Sequence, residues 1–460
     1  MKKVNRLLLI MLMTLFGFLI ACKTTEVIED GECIHDWTVS EKVDATCTKE
    51  GIIKYECSKC HETKEEAIEA TGHDLYSDVK EATCLEDGYS CMRCRNCNYY
   101  EDMKQLKATG HKYEYVVDIE SINGSIGKKH RECMSCHESN EQYEYVNIGY
   151  SRYGKLHVQG KDLVDKDGNI VQLFGLSTHG LQWYGKYVNK ESLLACKEAF
   201  NINVFRFSLY TSENGYCVAS ASRKEELYQL VIKGVQIATE LDMYAIVDWH
   251  MLGANDPNDK NPLYYKDEAL AFFDRVTKDL AEYDNVFYEI MNEPCGKTTW
   301  ADCKSYAEEV IPVIRNNVPD AIVLVGNPKW SSDLSSPAKN PLSFDNIMYT
   351  FHFYAADSDM QNTSKVTSAY QKGLPIFVTE HGGMDSDGDG SIDYNSIKSW
   401  YTALDNRKIS YVAWNISNSN GSSAILKTTT SSMDDFSDSA LKIWGQYYKA
   451  HIKQVLGLSN

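Results

Sequence analysis

The sequence lacks an excess of basic residues, since 47 lysines and arginines stand against 65 aspartates and glutamates in 460 residues. The formal net charge of -18 excludes the broad basic face that a nucleic-acid partner requires. After residue 20 the chain also has no apolar run that is long enough to span a bilayer. A chain of this length is too long for one small domain, so we expect two or three domains.

The first residues are typical of a secretion signal. A basic start precedes an apolar core over residues 7–20, which is too short and wrongly flanked for a spanning helix. The tetrad that ends at Cys22 resembles the lipobox of bacterial lipoproteins, which implies cleavage before Cys22 and lipidation of its thiol. An ordinary signal peptide with a chance cysteine is the alternative. We therefore expect a signal peptide over residues 1–21, a linker over 22–32, and an exported, extracytoplasmic lipoprotein held at the membrane by its lipid anchor.

Residues 33–145 contain ten of the fifteen cysteines and no long apolar run. The segment repeats with a period of about 38 residues, which indicates three copies of one small structural unit. The Ala-Thr-Cys motif that ends at Cys47 recurs at Cys84, and the Ala-Thr-Gly-His motif that ends at His73 recurs at His111. The Cys-x-x-Cys pairs are Cys57 with Cys60, Cys94 with Cys97, and Cys133 with Cys136.

Each repeat, aligned on Gly51, Gly88 and Gly127, offers four candidate metal ligands. The sets are His35, Cys47, Cys57 and Cys60 in the first repeat, His73, Cys84, Cys94 and Cys97 in the second, and His111, His130, Cys133 and Cys136 in the third. The third repeat lacks the lone cysteine but gains His130, a substitution that a four-coordinate zinc site would produce. Units this small cannot bury enough core without a metal or another staple.

Two other interpretations of the cysteines stay open. An exported protein lies in a compartment that permits disulfides, and ten cysteines allow five bridges. The pairs followed by His61 and His137 also match the C-x-x-C-H haem attachment pattern, although Asn98 replaces that histidine in the second repeat. The segment further resembles Cys/His repeats of Gram-positive surface proteins, which implies small spacer or binding modules.

From residue 150 onward, apolar β-branched runs alternate with amphipathic stretches. Runs without strict alternation are typical of strands buried on both faces of a parallel sheet. Eight strand–helix units predict an α/β fold, a closed (β/α)8 TIM barrel over residues 150–460, while the alternative doubly wound sheet lacks the glycine-rich phosphate fingerprint after its first strand. The predicted strands are Val171–Thr178, Val204–Tyr210, Tyr244–His250, Val286–Asn292, Ala321–Val325, Ile347–Tyr354, Pro375–Glu380 and Tyr411–Ile416.

Polar and aromatic side chains collect where these predicted strands end. The C-terminal ends of barrel strands form one face, on which active sites lie. The residues are His179, Trp183, Arg206, His250, Asn292, Glu293, His352, Tyr354, Glu380 and Trp414. Glu293 and Glu380 each follow an apolar run, and two such carboxylates are what hydrolysis of a sugar bond requires.

Residues 150–455 resemble glycoside hydrolase family 5, and most closely its bacterial endoglucanase branch. The matching pieces are Gly175–Trp183, Arg206, His250, Asn292–Pro294, His352–Tyr354, Thr379–Glu380 and Trp414. The resemblance implies a retaining endo-β-1,4-glucanase that acts on β-glucan and needs no cofactor for catalysis. Mixed-linkage glucan, xylan and mannan remain open as substrates, and a non-catalytic surface glycan-binding lipoprotein is the alternative.

The resemblance also implies a role for each site residue. Glu293 would be the general acid/base, with a raised pKa, and Glu380 the nucleophile. A cation beside Glu380 would hold it ionised by lowering its pKa. The supporting roles would be orientation of the nucleophile for Arg206 and Tyr354, a bond to the sugar 2-hydroxyl for Asn292, contact with the acid/base and the sugar for His250 and His352, and sugar binding for His179, Trp183 and Trp414.

Three features depart from the family pattern or add to it. The branch usually carries a lysine and an acidic residue after Trp414, but residues 415–421 contain neither. His381 stands where a tryptophan commonly follows the nucleophile, so we expect an altered distal subsite. The segment Asp385–Asp393 resembles a calcium loop, yet Ser396 occupies the position of the bidentate carboxylate. We therefore favour an acidic, glycine-rich substrate loop over a calcium site.

Overall fold

The structure, a computed structural model, describes residues 33–139, 142–253 and 256–459. The predicted signal peptide, its Cys22 and the linker lie outside the described residues. Within the described ranges, no helix combines the length and the apolar character needed to cross a membrane.

The chain divides into two compact units. The repeat unit comprises the described residues up to 112 together with 134–136, and the barrel unit comprises residues 113–133 and those from 137 onward. The predicted boundary near residue 145 therefore differs from the observed one, since much of the third repeat packs within the barrel unit. One such contact is the ion pair between Lys129 and Glu198.

Each repeat contains a three-stranded antiparallel sheet. The glycines at the start of the middle strands are required there, because a Cβ on Gly51 would lie 2.4 Å from the carbonyl oxygen of Val43. The strands are β1 (Trp37–Val43), β2 (Gly51–Cys57) and β3 (Thr63–Ile68), then β4 (Leu75–Lys80), β5 (Gly88–Cys94) and β6 (Tyr100–Leu106), then β7 (Tyr113–Ile119), β8 (Gly127–Cys133) and β9 (Tyr143–Tyr145).

The repeat unit has no apolar core of its own among the described residues 33–112. Both hydrophobic clusters of the molecule are built from residues beyond this segment. Its strands expose most of their side chains, as the pattern of β1 illustrates. The buried positions of this segment are all cysteines or glycines, namely Cys47, Gly51, Cys57, Cys84, Gly88, Cys91 and Cys94.

The predicted (β/α)8 barrel is confirmed as a closed barrel of eight parallel strands. A short antiparallel hairpin, β10 (His157–Gln159) and β11 (Asp162–Val164), precedes it. The barrel strands are β12 (Phe174–Thr178), β13 (Val204–Tyr210), β14 (Tyr244–His250), β15 (Val286–Glu289), β16 (Ile322–Val325), β17 (Ile347–Tyr354), β18 (Ile376–Gly382) and β19 (Tyr411–Ile416).

Helices connect the strands and cover the outside of the barrel. The two longest begin at the side-chain caps Ser220 and Thr299, which satisfy free amides of the first turn. The helices are α1 (Tyr150–Tyr153), α2 (Leu181–Tyr184), α3 (Lys190–Phe200), α4 (Ala221–Glu240), α5 (Lys266–Asp279), α6 (Trp300–Asn317), α7 (Pro328–Ser331), α8 (Ser335–Lys339), α9 (Ser364–Gln371), α10 (Tyr394–Asp405) and α11 (Ile443–Leu456).

The barrel interior changes character along its axis. Its lower half is apolar and contains Val204 and Ile246, which pack with the side chains of β10 and β11. Two residues further along the same strands, the inward positions are Arg206 and Asp248. Because alternate residues of a strand point to the same side, β13 and β14 bring charged groups into the upper half of the barrel.

Candidate active site

A fully buried arginine organises the upper end of the barrel. Arg206 donates from Nε to Glu289 Oε2 at 2.7 Å and from Nη1 to Glu380 Oε2 at 3.1 Å. Its Nη2 lies 2.6 Å from Asn292 Oδ1 and 3.0 Å from Asp248 Oδ2. One cation thus fixes four side chains from β14, β15 and β18 and the loop after β15, which is the geometry predicted for strand ends that share one face.

Glu289 is a functional residue that the sequence analysis missed. Burial would raise its pKa, but the charge of Arg206 and its hydrogen bonds hold that pKa at about 2. Glu289 also accepts a hydrogen bond of 2.7 Å from Thr379. The signal was present, since Glu289 lies in the apolar run of β15, where an unpaired carboxylate would be strongly unfavourable.

The two predicted catalytic glutamates lie close together. One carboxylate oxygen of Glu293 is within 4.8 Å of one of Glu380, and a ring nitrogen of His352 is within the same distance of both. Retaining glycosidases hold their two carboxyl groups about 5–5.5 Å apart, whereas inverting enzymes need about 6.5–9.5 Å to admit a water molecule. The separation in this site fits the retaining arrangement.

Glu380 is held by hydrogen bonds on both oxygens. Tyr354 donates its hydroxyl to Oε1 at 2.8 Å, and Arg206 occupies Oε2. Burial nevertheless raises the pKa of Glu380, and Glu293 raises it further. This direction of the pKa shift is opposite to the one expected from Arg206 alone, because burial and the charge of Glu293 together outweigh the lowering by His352 and Arg206.

His352 joins the acid/base side to the buried network. Its Nδ1 lies 2.8 Å from Glu293 Oε1 and its Nε2 lies 2.9 Å from Thr379 Oγ1. Since Thr379 donates its own proton to Glu289, its oxygen accepts from His352. Burial lowers the pKa of His352, but the carboxylates of Glu289 and Glu293 outweigh burial and raise it to about 9.

His250 is neutral and holds a single tautomer. Burial and the charge of Arg206 lower its pKa to about 3. Its Nδ1 donates to Asp248 at 2.6 Å, so Nε2 is free to accept from the amide of Asn292 at 3.3 Å. The same amide nitrogen donates to the carbonyl of Met251 at 3.1 Å. Asn292 therefore braces Arg206 and His250 in this structure.

The glutamates open into a cleft of about 820 Å³. Trp414 and His179 line it, with ring centroids 5.3 Å apart, and Trp183 borders His179 with 43% of its surface exposed. Two further aromatic residues of the cleft were missed by the sequence analysis. Tyr210 stacks on His250 at 4.1 Å, and Trp330, 53% exposed, follows β16.

His381 does not face the cleft, contrary to the expectation of an altered subsite there. It is fully buried, donates through Nδ1 to the carbonyl of Val412 and contacts the hydroxyl of Tyr401 on α10. The register of β18 shifts between Val378 and His381, which lets Glu380 face the cleft while its neighbour packs against the helices. This position has no direct bearing on sugar binding.

The loop after Trp414 does reach the cleft, through Ser419, Gly421 and Ser423. Lys442 fixes this loop by donating to the carbonyls of Ser419 and Gly421 at 2.6 and 2.7 Å. The missing lysine and acidic residue therefore leave short polar side chains and backbone in their place. The departure from the family pattern at residues 415–421 lies within the cleft lining.

The acidic loop before α10 also lines the cleft, through Ser386, Asp387 and Gly388. Two of its other carboxylates have local partners, since Asp393 caps α10 and Asp389 accepts from Ser422 at 2.8 Å. Among the described residues, no group of potential metal ligands includes these aspartates. The interpretation as a substrate loop rather than a calcium site stays a prediction.

The candidate metal ligands of the repeats are brought together, but in different sets from those predicted. Cys47 lies with the histidine and the Cys-x-x-Cys pair of the next repeat. The sets within the repeat unit are Cys33, His35, Cys57 and Cys60, then Cys47, His73, Cys94 and Cys97, and then the trio Cys84, His111 and Cys136. Cys33, which the sequence analysis did not include, takes the place of Cys47 in the first set.

Strand length explains the corrected grouping. Cys47 precedes β2 and Cys57 ends it, so a seven-residue strand of about 20 Å separates them. The prediction of His130 as a ligand is wrong for a related reason. His130 lies within β8, where its Nδ1 is 2.9 Å from Asp118 and its Nε2 is 3.4 Å from Glu132. Cys133, at the end of β8, is buried.

Comparison with known proteins gives a family for the barrel. Residues 164–420 match the profile described as cellulase, glycosyl hydrolase family 5. Endoglucanase A of Butyrivibrio fibrisolvens is 44% identical over 293 residues, which are 63% of this chain and 66% of the relative. An endoglucanase of Clostridium saccharobutylicum is 40% identical over 65% of each chain. The chain thus spans slightly under two thirds of the length of these relatives.

Solved structures are similar over the same part of the chain. Cellulase Cel5C_n has 38% sequence identity and a TM-score of 0.63, covering 67% of this chain and 95% of that one. The catalytic domain of Thermobifida fusca endoglucanase Cel5A, in complex with cellotetraose, has 37% identity and a TM-score of 0.61. It covers 66% of this chain, and 99% of that domain is matched.

Proposed function

We propose that this chain, which belongs to glycosyl hydrolase family 5, is a retaining endo-β-1,4-glucanase. The observation that carries the proposal is the separation of at most 4.8 Å between carboxylate oxygens of Glu293 and Glu380. Such a distance leaves no room for a water molecule between sugar and carboxylate, so Glu380 itself attacks the anomeric carbon. The relatives named endoglucanase support β-1,4-glucan as the substrate class.

In the first step Glu380 forms an ester with the anomeric carbon while the glycosidic bond breaks. Glu293 transfers its proton to the departing oxygen, which leaves as the hydroxyl of the shortened chain. Arg206 and Tyr354 hold the nucleophile in one orientation, which reduces the reorganisation needed for attack. Their hydrogen bonds also stabilise the carboxylate that must stay ionised in a buried site.

In the second step a water molecule replaces the leaving group. Glu293, now a carboxylate, accepts a proton from this water, whose oxygen attacks the anomeric carbon and releases Glu380. The net reaction consumes one water molecule and regenerates both side chains. His352, hydrogen-bonded to Glu293 on one side and to Thr379 on the other, positions the acid/base.

The cleft provides the binding surface. Trp414 and Trp330 offer apolar ring surfaces to pyranose rings, and His179 and His250 line the same cleft. The polar loops around Asp387 and Ser419 occupy the distal part of the lining. Mixed-linkage glucan, xylan or mannan would be selected by these loops, and activity on one of them alone would revise the substrate but not the chemistry.

The test is release of reducing sugar by the full chain. Carboxymethylcellulose, barley β-glucan, xylan and glucomannan are compared side by side, with Glu380→Ala and Glu293→Gln as matched variants. We expect activity on the glucans, a loss of about 10⁴-fold or more for Glu380→Ala and a loss of about 10²–10⁴-fold for Glu293→Gln. Retained cellotetraose binding by an inactive wild-type chain would favour the glycan-binding alternative.

We further propose that Cys22 is lipidated and that the enzyme acts outside the cytoplasm, anchored to the membrane. The lipobox-like tetrad before Cys22 and the preceding basic and apolar residues support this. Mass spectrometry of the mature protein is expected to find a diacylglyceryl group on Cys22, and Cys22→Ser is expected to release the enzyme from the membrane fraction. An unmodified cysteine, or a chain cleaved elsewhere, would reject the anchor.

A further inference from the structure

The repeat unit contains two complete groups of three cysteines and one histidine. In each group, one ligand atom per residue lies within 4.8 Å of every other. We propose that both are tetrahedral zinc sites and that the second is shared by two consecutive repeats. It combines Cys47 of the first repeat with His73, Cys94 and Cys97 of the second, so the metal would join neighbouring repeats rather than close each one separately.

The sulfur separations match a metal site and not a disulfide. Cys33 Sγ is 3.8 Å from Cys57 Sγ, and Cys47 Sγ is 3.7 Å from Cys94 Sγ. Two thiolates bound tetrahedrally to one zinc ion at about 2.3 Å stand about 3.8 Å apart. Sulfurs in a disulfide are bonded at about 2.0 Å.

The histidine nitrogens complete the same geometry. His35 Nδ1 is 3.2 Å from Cys60 Sγ, and His73 Nδ1 is 3.4 Å from Cys97 Sγ. Zinc bonds of about 2.3 Å to sulfur and about 2.0–2.1 Å to nitrogen place these atoms about 3.6 Å apart. In both groups Nδ1 is the ring nitrogen that faces the cysteines, as expected if the two histidines bind a metal in the same way.

The surroundings of the ligands suit a bound cation. His35 Nε2 lies 3.3 Å from the carboxylate of Glu62, so the ring is oriented with Nδ1 toward the sulfurs. The backbone amides of Asp36 and Lys59 both donate to Cys57 Sγ at 3.4 Å. Such amide–sulfur bonds stabilise the negative charge that a zinc thiolate retains.

Backbone pairing explains how one repeat delivers its cysteine to the next. Thr71 N donates to Thr46 O at 3.0 Å, and Gly72 N donates to Cys47 O at 3.1 Å. The Ala-Thr-Gly-His motif thus docks on the Ala-Thr-Cys loop of the preceding repeat, which brings His73 beside Cys47. The joint recurrence of the two motifs is what a shared site requires.

The packing of the repeat unit gives the metal a structural role. Within the described residues 33–112, buried positions are cysteines and glycines, and no side chain joins a hydrophobic cluster. A fold with so little apolar burial needs another source of stability, and zinc binding to a small domain supplies folding free energy directly.

The experiment measures zinc and cysteine accessibility in the full chain. Protein purified with zinc is assayed for metal content, then alkylated with and without chelator, and the labelled cysteines are identified by peptide mass spectrometry. Cys47→Ser is the test variant. Cys91→Ser is its control, because Cys91 is a buried cysteine of the same segment that belongs to neither group.

We expect Cys47→Ser to lose one zinc equivalent and to expose Cys94 and Cys97 to alkylation, while Cys57 and Cys60 stay protected. The control is expected to keep its zinc. Labelling of Cys57 and Cys60 instead would show that each repeat closes its own site and would overturn the shared one. A wild-type chain without zinc, or with its cysteines oxidised in pairs, would overturn the proposal altogether.

A second measurement on the wild-type chain covers the case in which the variant fails to fold. Partial chelation is followed by brief alkylation, and the cysteines that become reactive together are identified. The shared site predicts that Cys47 is labelled together with Cys94 and Cys97. Labelling of Cys47 together with Cys57 and Cys60 would contradict it. Neither outcome depends on glucanase activity.

Discussion

The two compact units of this chain bury very different side chains. The barrel unit encloses a large apolar core of aromatic and branched residues, and within that core it carries a charged network around Arg206. The repeat unit buries cysteines and glycines and leaves most other side chains exposed. The first unit gains its stability from apolar burial, while the second buries little apolar surface and, under the zinc proposal, would be held by metal at a few points.

The difference shows what a large core makes possible. Burial of several carboxylates beside one arginine is unfavourable unless each charge is paired, and the barrel has enough apolar contact to support such a site. The described residues of the repeat unit have no comparable amount of buried apolar contact. Its two complete cysteine groups are the proposed structural zinc sites, whereas the buried charges of the barrel surround the two glutamates proposed to act in catalysis.

Removal of metal by a chelator should give the largest difference in behaviour between the two units. Treatment of the full chain with excess EDTA is expected to unfold the repeat unit, because the proposed zinc sites would supply its stability, while glucanase activity changes less than about two-fold. Limited proteolysis followed by mass spectrometry measures cleavage within residues 33–112, and reducing-sugar assays measure the barrel. If the chelator left the repeat unit as resistant to proteolysis as before, the proposed difference between the two units would be contradicted.

Arg206→Met tests the charged network within the barrel. The substitution leaves Glu289 and Glu380 buried without their cation, so we expect the free energy of unfolding to fall by about 3–5 kcal/mol and activity to be lost. Urea denaturation followed by tryptophan fluorescence provides the measurement. Lys278→Met, which removes an exposed ion pair with Asp274, is the control and should change stability by less than about 1 kcal/mol.

The pH dependence of stability tests His352. Its pKa rises from 6.5 to about 9 in the folded protein, so its contribution to stability is complete below pH 6.5 and is lost as the pH rises through about 9. We expect the wild-type barrel to lose at most about 3 kcal/mol over this window. His352→Gln should lose less over the same pH range, and identical pH profiles would reject the assignment.

Trp330→Ala tests the exposed aromatic surface of the cleft. Loss of this face should raise KM for long glucans roughly three- to ten-fold, equivalent to about 1 kcal/mol of apolar contact, with little change in kcat. Tyr264→Ala is the control, because Tyr264 is equally exposed but does not line the cleft. An unchanged KM would show that Trp330 does not contribute to substrate binding.

Much of the barrel could be predicted from its apolar runs. The strands at Val204–Tyr210, Tyr244–His250, Ile347–Tyr354 and Tyr411–Ile416 have the predicted bounds, because strands buried on both faces have a distinctive composition. The first strand was predicted to begin at Val171, which instead bonds to Leu163 of β11. Extended backbone outside the barrel has the same apolar composition as a barrel strand.

The features that were not predicted depend on the direction in which individual side chains point. A register shift in β18 turns His381 away from the cleft, and no residue pattern in a single sequence marks such a shift. Trp330 lies in α7, where its backbone is not helical and has a positive φ of 55°, so its position is set by this irregular segment rather than by strand alternation. The grouping of Cys47 with the next repeat could have been predicted from the sequence, because a strand separates Cys47 from Cys57.

The stereochemistry of hydrolysis tests the central claim most directly. Proton NMR of the first sugar released from a soluble cello-oligosaccharide identifies the anomer before mutarotation occurs. The short separation between Glu293 and Glu380 predicts the β-anomer, since two displacements retain the configuration. Initial release of the α-anomer would contradict both the role of Glu380 as nucleophile and the account of the site given above.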